Sequence, residues 1–203
     1  MDPIEWTTRQ AHLDAHLPQG DFRFIALDVE TACGDAASIC QIGIACVRAD
    51  NQIETFATLV NPRMRFSAFN TQLHGIGPQH VAGAPDFAFA FDLLSPLLSR
   101  HPLIQHSSFD KRTMQAACLL CARDSSDWHW SDSVKIARRA WPEFVGAGGH
   151  GLGHLKKRLG LAFEHHDAGE DAKAAAMVVL QAEARLALGF EAILAARPVK
   201  RAV

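Results

Sequence analysis

The alternation of apolar and polar positions in the first third of the chain predicts a β-meander. Apolar residues dominate three stretches of strand length, residues 22–28, 39–47 and 53–60. The polar pair Asp50-Asn51 separates the last two stretches, as expected of a hairpin turn. The pattern therefore predicts three consecutive strands that pair antiparallel. An amphipathic segment at residues 6–17 precedes them.

The pattern changes after residue 60. Residues 61–85 are rich in Gly, Pro, Asn and Arg, and predict a long irregular connection, which usually has a function in compact domains. The apolar run Leu103–Gln105 predicts a short buried strand. Helical periodicity predicts helices over residues 86–99, 109–122, 134–141, 151–159 and 169–188. A meander followed by alternating strands and helices predicts an α/β fold, a mixed sheet covered by helices.

Length and composition favour one globular domain. The 203 residues, 48% of them hydrophobic, are enough for one buried core, which we expect within about residues 22–188. The formal net charge of −2 gives no general attraction to nucleic acid, so binding a polyanion would need metal ions or local basic patches. Candidate patches, each more often plain solvated surface, are Arg63 with Arg65, Lys111 with Arg112, Arg138 with Arg139, and residues 156–158.

The cysteines and the apolar runs bear on the cellular setting. The chain has five cysteines, an odd number, no recognisable secretory leader and no apolar run of the ~18 residues that a membrane span needs. These features predict free thiols, a cytoplasmic setting and no membrane partner. Cys118 and Cys121 lack a second ligand pair at zinc spacing, and their i,i+3 spacing predicts one buried helix face.

Two carboxylates stand at the end of the first strand. Asp28 and Glu30 are two positions apart, and such side chains share one face of a strand. Two negative charges beside a core are unfavourable unless a cation neutralises them. The alternative is that Asp28 and Glu30 begin a solvated loop.

Two further acids follow predicted strands or begin predicted helices. Asp110 stands at the start of a helix, where a carboxylate can also simply accept hydrogen bonds from free backbone N–H groups. Asp171 lies early in the last long helix, five residues after His166. A mobile imidazole close to a fixed carboxylate fits proton transfer better than metal ligation. Carboxylate-only ligation favours magnesium or manganese.

Three segments, in order, resemble the motifs of a known enzyme family. Ala26–Thr31, His106–Asp110 and His166–Asp171 are similar to the three motifs of the DEDDh (DnaQ-like) 3′–5′ exonucleases, which include bacterial DNA polymerase III epsilon-type proofreading enzymes and free-standing exonucleases. Shorter matches lie at residues 38–43, 59–62, 73–76, 84–85 and 152–160. The sister branch has a tyrosine four residues before the last Asp, whereas this chain has Asp167 there and no tyrosine at all.

The resemblance implies an RNase H-like fold and a two-metal mechanism with Mg²⁺ or Mn²⁺. It implies that Asp28 bridges both metals, that Glu30 and Asp171 complete the site of the attacking water, and that Asp110 holds the second metal. His166, rather than the adjacent His165, stands in the position of the general base. Ser107 stands where the family commonly has Asn, a residue outside the metal-binding set. The residues expected to border the terminal nucleotide are Thr31, Ala32, His74 and Ile76.

We therefore expect a 3′–5′ exonuclease that releases nucleoside 5′-monophosphates, with DNA as the favoured substrate. An RNA-trimming exoribonuclease of the oligoribonuclease or RNase T kind is an alternative, and so is a polymerase-associated proofreading subunit. A non-catalytic nucleic-acid-binding domain is the least favoured reading. The short tail at residues 197–203 favours a free-standing enzyme. A polymerase or homodimer partner, single- against double-strand preference and processivity stay open.

Overall fold

The structure, a computed structural model, describes residues 16–161 and 166–196. Most of the amphipathic segment predicted at residues 6–17 lies outside the described residues. His165 and the tail at residues 197–203 lie outside them too.

The strands form one mixed sheet of five. The antiparallel meander consists of β1 (Phe24–Thr31), β2 (Ile39–Val47) and β3 (Ile53–Leu59). β4 (Leu103–Gln105) and β5 (Trp130–Asp132) add parallel strands on the other side of β1, so that the order is β3-β2-β1-β4-β5. The predicted meander and mixed sheet are confirmed. β5 was not predicted, because its three half-buried residues leave no apolar run.

The helices follow the predicted order after residue 86. They are α3 (Phe87–Leu98), α4 (Phe109–Leu120), α5 (Ser133–Ala140), α6 (Leu152–Leu159) and α7 (Ala168–Leu186). A short 3₁₀ turn at Pro142–Phe144 and a final helix, α8 (Phe190–Ala195), were not predicted.

The connection between β3 and α3 is more regular than the sequence suggested. It contains α1 (Ala68–His74) and α2 (Pro78–Val81), so the prediction of an irregular segment was wrong there. The Ser67 hydroxyl caps α1 by accepting the N–H of Asn70. The helix buries none of its residues, so it lacks the apolar core stripe by which a helix is recognised in sequence.

Both faces of the sheet are covered. Along β1, Ile25 and Leu27 point into a core shared with α3 and α4, whereas Phe24 and Ala26 point into a core shared with α5 and α7. Because side chains alternate along a strand, Asp28 and Glu30 fall on the face of Phe24 and Ala26. The two acids therefore face the layer that contains α7.

A glycine on β2 sets how closely α7 approaches the sheet. Gly43 pairs with Asp28 across the β1–β2 ladder. A Cβ atom on Gly43 would lie 2.1 Å from the carbonyl carbon of Ala168 and 2.3 Å from the backbone N of Gly169. The first residues of α7 thus rest directly on the strand beside Asp28.

The structure also bears on the predicted free thiols and on the search for membrane-spanning helices. All five cysteines are free; Cys118 is buried in α4, and Cys121 is half-buried where that helix ends. Within the described ranges, no helix is both long and apolar enough to cross a membrane.

The close approach at Gly43 can be tested by adding one methyl group. Gly43→Ala should lower the free energy of unfolding by about 1–3 kcal/mol, because a backbone atom of α7 must move to admit the Cβ. Urea denaturation of both proteins measures the difference. Gly34→Ala is the matched control, since nothing lies within 4 Å of its added Cβ. Equal stability of the two variants would contradict the close approach.

Candidate active site

Four carboxylates from three elements meet at one cavity. Asp28 and Glu30 come from β1, Asp110 from the first turn of α4, and Asp171 from the first turn of α7. All four, together with His166, line a cavity of about 580 Å³. The structure thus brings together the five residues that the sequence singled out for catalysis.

Asp110 is held against β1 by a hydrogen bond. The backbone N–H of Val29 donates to Asp110 Oδ1 at 3.3 Å, between the two acids of β1. The loop before Asp110 leaves β4 at the same edge of the sheet. In that loop the Ser107 hydroxyl accepts the N–H of Phe109 at 3.3 Å, at the start of α4.

The start of α7 is held against β2 by a glutamine. The Gln41 side chain donates to Asp167 Oδ2 at 2.9 Å and accepts the N–H of Ala168 at 3.1 Å. Asp167 in turn caps α7 by accepting the N–H of Glu170. These contacts fix the first turn of α7, which carries Asp171. The sequence reading had matched Gln41 to the family only as part of the second strand.

His166 lies in the turn before α7, with a positive φ of 72°. Its backbone N–H donates to Asp171 Oδ2 at 3.0 Å. Its ring, Glu30 and Asp171 each offer one ligand atom, and these atoms lie within 4.8 Å of one another. By distance, the imidazole can act on a group bound by these acids or be a ligand itself.

Burial makes the acids costly to ionise. Glu30 is 8% exposed, Asp171 4% and Asp110 2%. Burial, followed by repulsion from Asp171 and Asp110, raises the pKa of Glu30 to about 8. Burial raises the pKa of Asp110 to about 7, against the opposing effect of its backbone hydrogen bonds. The reading of Asp28 and Glu30 as the start of a solvated loop is therefore wrong.

Asp28 has the most crowded electrostatic surroundings of the set. Burial raises its pKa well above the ordinary value, and repulsion from Asp110, Asp171 and Glu30 raises it further. A divalent cation would remove this repulsion. Four carboxylates without a cysteine are the donor set of a hard cation such as Mg²⁺ or Mn²⁺, so the residues fit the metal that the motifs imply.

The expected nucleotide-binding residues lie in two layers. Thr31 lines the cavity, whereas Ala32 and Ile76 are buried behind it with Cys40 and Val81.

His74 supports Thr31 from behind. The Ile76 N–H donates to His74 Nδ1 at 3.0 Å, which leaves the ring proton on Nε2. His74 Nε2 lies 3.1 Å from the Thr31 carbonyl oxygen, so it is the donor there. Burial lowers the pKa of His74, which favours this neutral form. His74 therefore holds the backbone of Thr31 in place.

The cavity also has an apolar wall that the sequence reading missed. Phe69 and Leu73 lie one turn apart on α1 and line the cavity, with Phe69 73% exposed. Asn70, beside them on the same helix, also lines the cavity and donates to the Thr31 carbonyl oxygen at 2.9 Å. α1 thus presents Phe69 and Leu73 to the cavity, and Asn70 connects the helix to β1. The i,i+4 spacing of Phe69 and Leu73 was the feature of the sequence that could have indicated this wall.

Phe109 completes the apolar wall from α4. It is 37% exposed and lines the same cavity, and the Arg112 guanidinium lies 5.7 Å from its ring centre. Exposed aromatic and aliphatic groups along this cavity indicate a ligand with a flat, apolar part.

Comparison with known proteins bears on this arrangement. The model of the RNase_T family, described as exonuclease, matches residues 25–179. A DNA polymerase III PolC-type protein of Streptococcus thermophilus is 30% identical over 146 residues, which are 70% of this chain and 10% of that protein. The chain thus spans about a tenth of the length of the curated relatives it matches.

Two solved structures share the fold at low identity. Exonuclease X, in complex with 5′ overhanging duplex DNA, has a TM-score of 0.66 at 21% identity, covering 83% of this chain and 95% of its own. The nuclease domain of 3′hExo, a DEDDh family member bound to rAMP, has a TM-score of 0.64 at 17% identity, covering 81% and 93%. The predicted RNase H-like arrangement of sheet and helices is confirmed.

The raised pKa values predict how metal and pH act together on stability. Protonated Glu30 and Asp110 stabilise the metal-free fold at low pH, and this contribution is lost as pH rises through their folded pKa values, about 8 for Glu30 and about 7 for Asp110. A cation opposes that loss. Mn²⁺ should therefore raise the melting temperature more at pH 8 than at pH 5.5, by about 3 °C or more. Thermal unfolding with Mn²⁺ or chelator measures both shifts, and equal shifts would refute the electrostatic account.

Proposed function

We infer the reaction of this chain from its family, because it belongs to the RNase_T exonuclease family and carries the DEDDh motifs. It is a nuclease of a family that depends on divalent metal. We propose that it acts as a single domain that removes nucleotides from the 3′ end of nucleic acid, with DNA favoured, and releases nucleoside 5′-monophosphates. The observation that carries the proposal is the convergence of Asp28, Glu30, Asp110, Asp171 and His166 on one cavity.

Asp28, Glu30, Asp110 and Asp171 are the proposed ligands of two Mg²⁺ or Mn²⁺ ions. In this assignment Asp28 would help to hold both ions, Glu30 and Asp171 would hold one, and Asp110 would hold the other. Bound divalent ions supply an acidic water for attack and neutralise charge on the departing 3′ oxygen. Two contacts hold these carboxylates in place. The Val29 N–H donates to Asp110, and the Gln41 side chain bonds to the start of α7.

His166 is the proposed general base. Imidazole is the side chain that exchanges a proton most readily near neutral pH. The turn before α7 brings its ring to Glu30 and Asp171, so the ring can take a proton from a water held by those acids.

The terminal nucleotide fits the apolar end of the cavity. Phe69 and Leu73 on α1 offer a surface for its base, and Phe109 a second one from α4. Stacking against such surfaces accepts every base, because each base has a π-face. An unpaired 3′ end with little sequence preference is the substrate that suits this wall.

Two observations bear on the kind of nucleic acid. The relative at 30% identity is a DNA polymerase III of PolC type, which favours DNA and keeps a proofreading association as an alternative. The bound rAMP of the 3′hExo structure supports RNA trimming as the second candidate.

A single labelled-substrate assay tests the proposal. DNA and RNA, single- and double-stranded and labelled at the 5′ end, are incubated with Mg²⁺, Mn²⁺ or chelator. We expect a ladder that shortens from the 3′ end only with metal, fastest on single-stranded DNA. Internal cuts, or digestion in chelator, would contradict the proposal.

The same assay tests the base. His166→Ala should slow turnover by roughly 10²–10⁴-fold, the usual contribution of a general base. Mn²⁺ affinity, measured by calorimetry, should stay close to that of the parent protein. His129→Ala, an exposed histidine outside the cavity, is the control. A near-normal rate across pH 6–9 would refute the role, and a large loss of metal affinity would make His166 a ligand instead.

A further inference from the structure

A second cavity adjoins the catalytic one. It has a volume of about 380 Å³ and shares part of its wall with the first, formed by Asp28, His106, Ser107 and Asp171. From this shared wall the first cavity extends to α1 and α4, whereas the second extends to α5 and α6. Resting on the proposed exonuclease function, we propose that the second cavity binds the phosphate on the 5′ side of the scissile linkage, with Arg138 as its cation.

Among the described residues, the Arg138 side chain has no protein partner. Several other arginines form ion pairs, as Arg23 does with Glu183 and Arg123 with Asp92. The next residue, Arg139, donates to the Ile193 carbonyl oxygen. Within residues 16–161 and 166–196, no hydrogen bond or ion pair engages the Arg138 side chain, which is exposed and lines the cavity. A guanidinium left available in this way matches the geometry of a phosphate.

The walls around Arg138 are held in place by other contacts. His106 bonds through Nδ1 to the Ser133 hydroxyl at 2.7 Å and through Nε2 to the His150 carbonyl oxygen at 3.0 Å. The His150 ring bonds in turn to the Trp141 carbonyl oxygen at 2.8 Å. This chain of contacts joins the loop after β4, the start of α5 and the loop before α6. The cavity is therefore pre-formed and not a gap between loosely joined elements.

The start of α6 adds charge of the same sign. Gly151 and Leu152 line the cavity, and no side chain caps this end of the helix. The partial positive charge of the helix end supports the Arg138 guanidinium in attracting an anion.

The direction of the substrate follows from the two cavities. With the terminal nucleotide against Phe69 and Phe109, the scissile phosphate lies at the carboxylates, and the strand has to continue from there. The second cavity opens from the same carboxylates and offers Arg138, whereas Arg112 in the first cavity lies over the Phe109 ring. The Arg138 guanidinium therefore attracts the phosphate upstream of the scissile one, on the far side of Asp28 and Asp171. This makes a substrate with at least two linkages the preferred one.

The test combines one enzyme change with two substrate changes. Three substrates are compared: a short thymidine oligonucleotide, the same oligonucleotide with a neutral methylphosphonate directly 5′ of the scissile phosphate, and the 4-nitrophenyl ester of thymidine 5′-monophosphate, which has no upstream phosphate. Arg138→Gln should lower kcat/KM on the first by about 10- to 100-fold, mainly through KM, the range expected for a charged hydrogen bond. It should change kcat/KM on the other two less than about threefold, since neither offers that charge.

The controls separate this inference from the proposed function. Lys135→Gln removes an exposed charge from the same helix, outside the cavity, and should leave all three rates unchanged. An equal loss on all three substrates by Arg138→Gln would overturn the inference, and so would a methylphosphonate effect that persists in this variant. If the parent protein hydrolyses none of them, the exonuclease proposal fails. Oligonucleotide affinity with Ca²⁺ then decides the phosphate site by the same comparison between Arg138→Gln and the methylphosphonate.

Discussion

The structure is constrained by the mutual repulsion of four carboxylates around one cavity. Glu30, Asp110 and Asp171 are buried and Asp28 is half-buried, and burial with repulsion raises the pKa values of Asp28, Glu30 and Asp110. Such a cluster opposes folding unless protons or cations neutralise it. The elements around it are arranged so that the acids stay together despite this cost.

Three contacts hold the acids in place. The lack of a side chain at Gly43 lets α7 rest on β2 opposite Asp28. The Gln41 side chain holds the first turn of α7, and the Val29 N–H holds Asp110. Each contact connects a carboxylate-bearing helix to the meander. The central sheet is thus both the scaffold of the fold and the frame of the site.

The sheet and the clustered acids could be predicted from the sequence because both produce strong local patterns. β2 was predicted at its observed bounds, since nine consecutive residues are buried. α1 was missed because it buries none of its residues: Asn70 and His74 bond to β1, and Phe69 lines the cavity. No periodic core stripe reveals such a helix.

The residues packed behind Thr31 could not be predicted, because they are held by contacts between positions far apart in the sequence. Contact of His74 with the nucleotide stays a prediction; what the sequence did not display is that the His74 ring bonds to the Thr31 carbonyl oxygen, 43 residues away. In the same way, the second cavity becomes visible only when α5, α6 and the loop after β4 are brought together. The pair Arg138 and Arg139 looked like ordinary surface charge, and the fold gives its two members different surroundings.

If the carboxylates hold divalent cations, replacing Asp28 should have the clearest effect on metal binding, because all three other acids repel it. The measurement is Mn²⁺ binding to the parent protein and to Asp28→Asn by calorimetry, with hydrolysis of single-stranded DNA measured on the same samples. We expect Asp28→Asn to lose Mn²⁺ affinity and hydrolysis together, while the metal-free protein becomes more stable near pH 8. Unchanged Mn²⁺ affinity in a folded Asp28→Asn protein would contradict it.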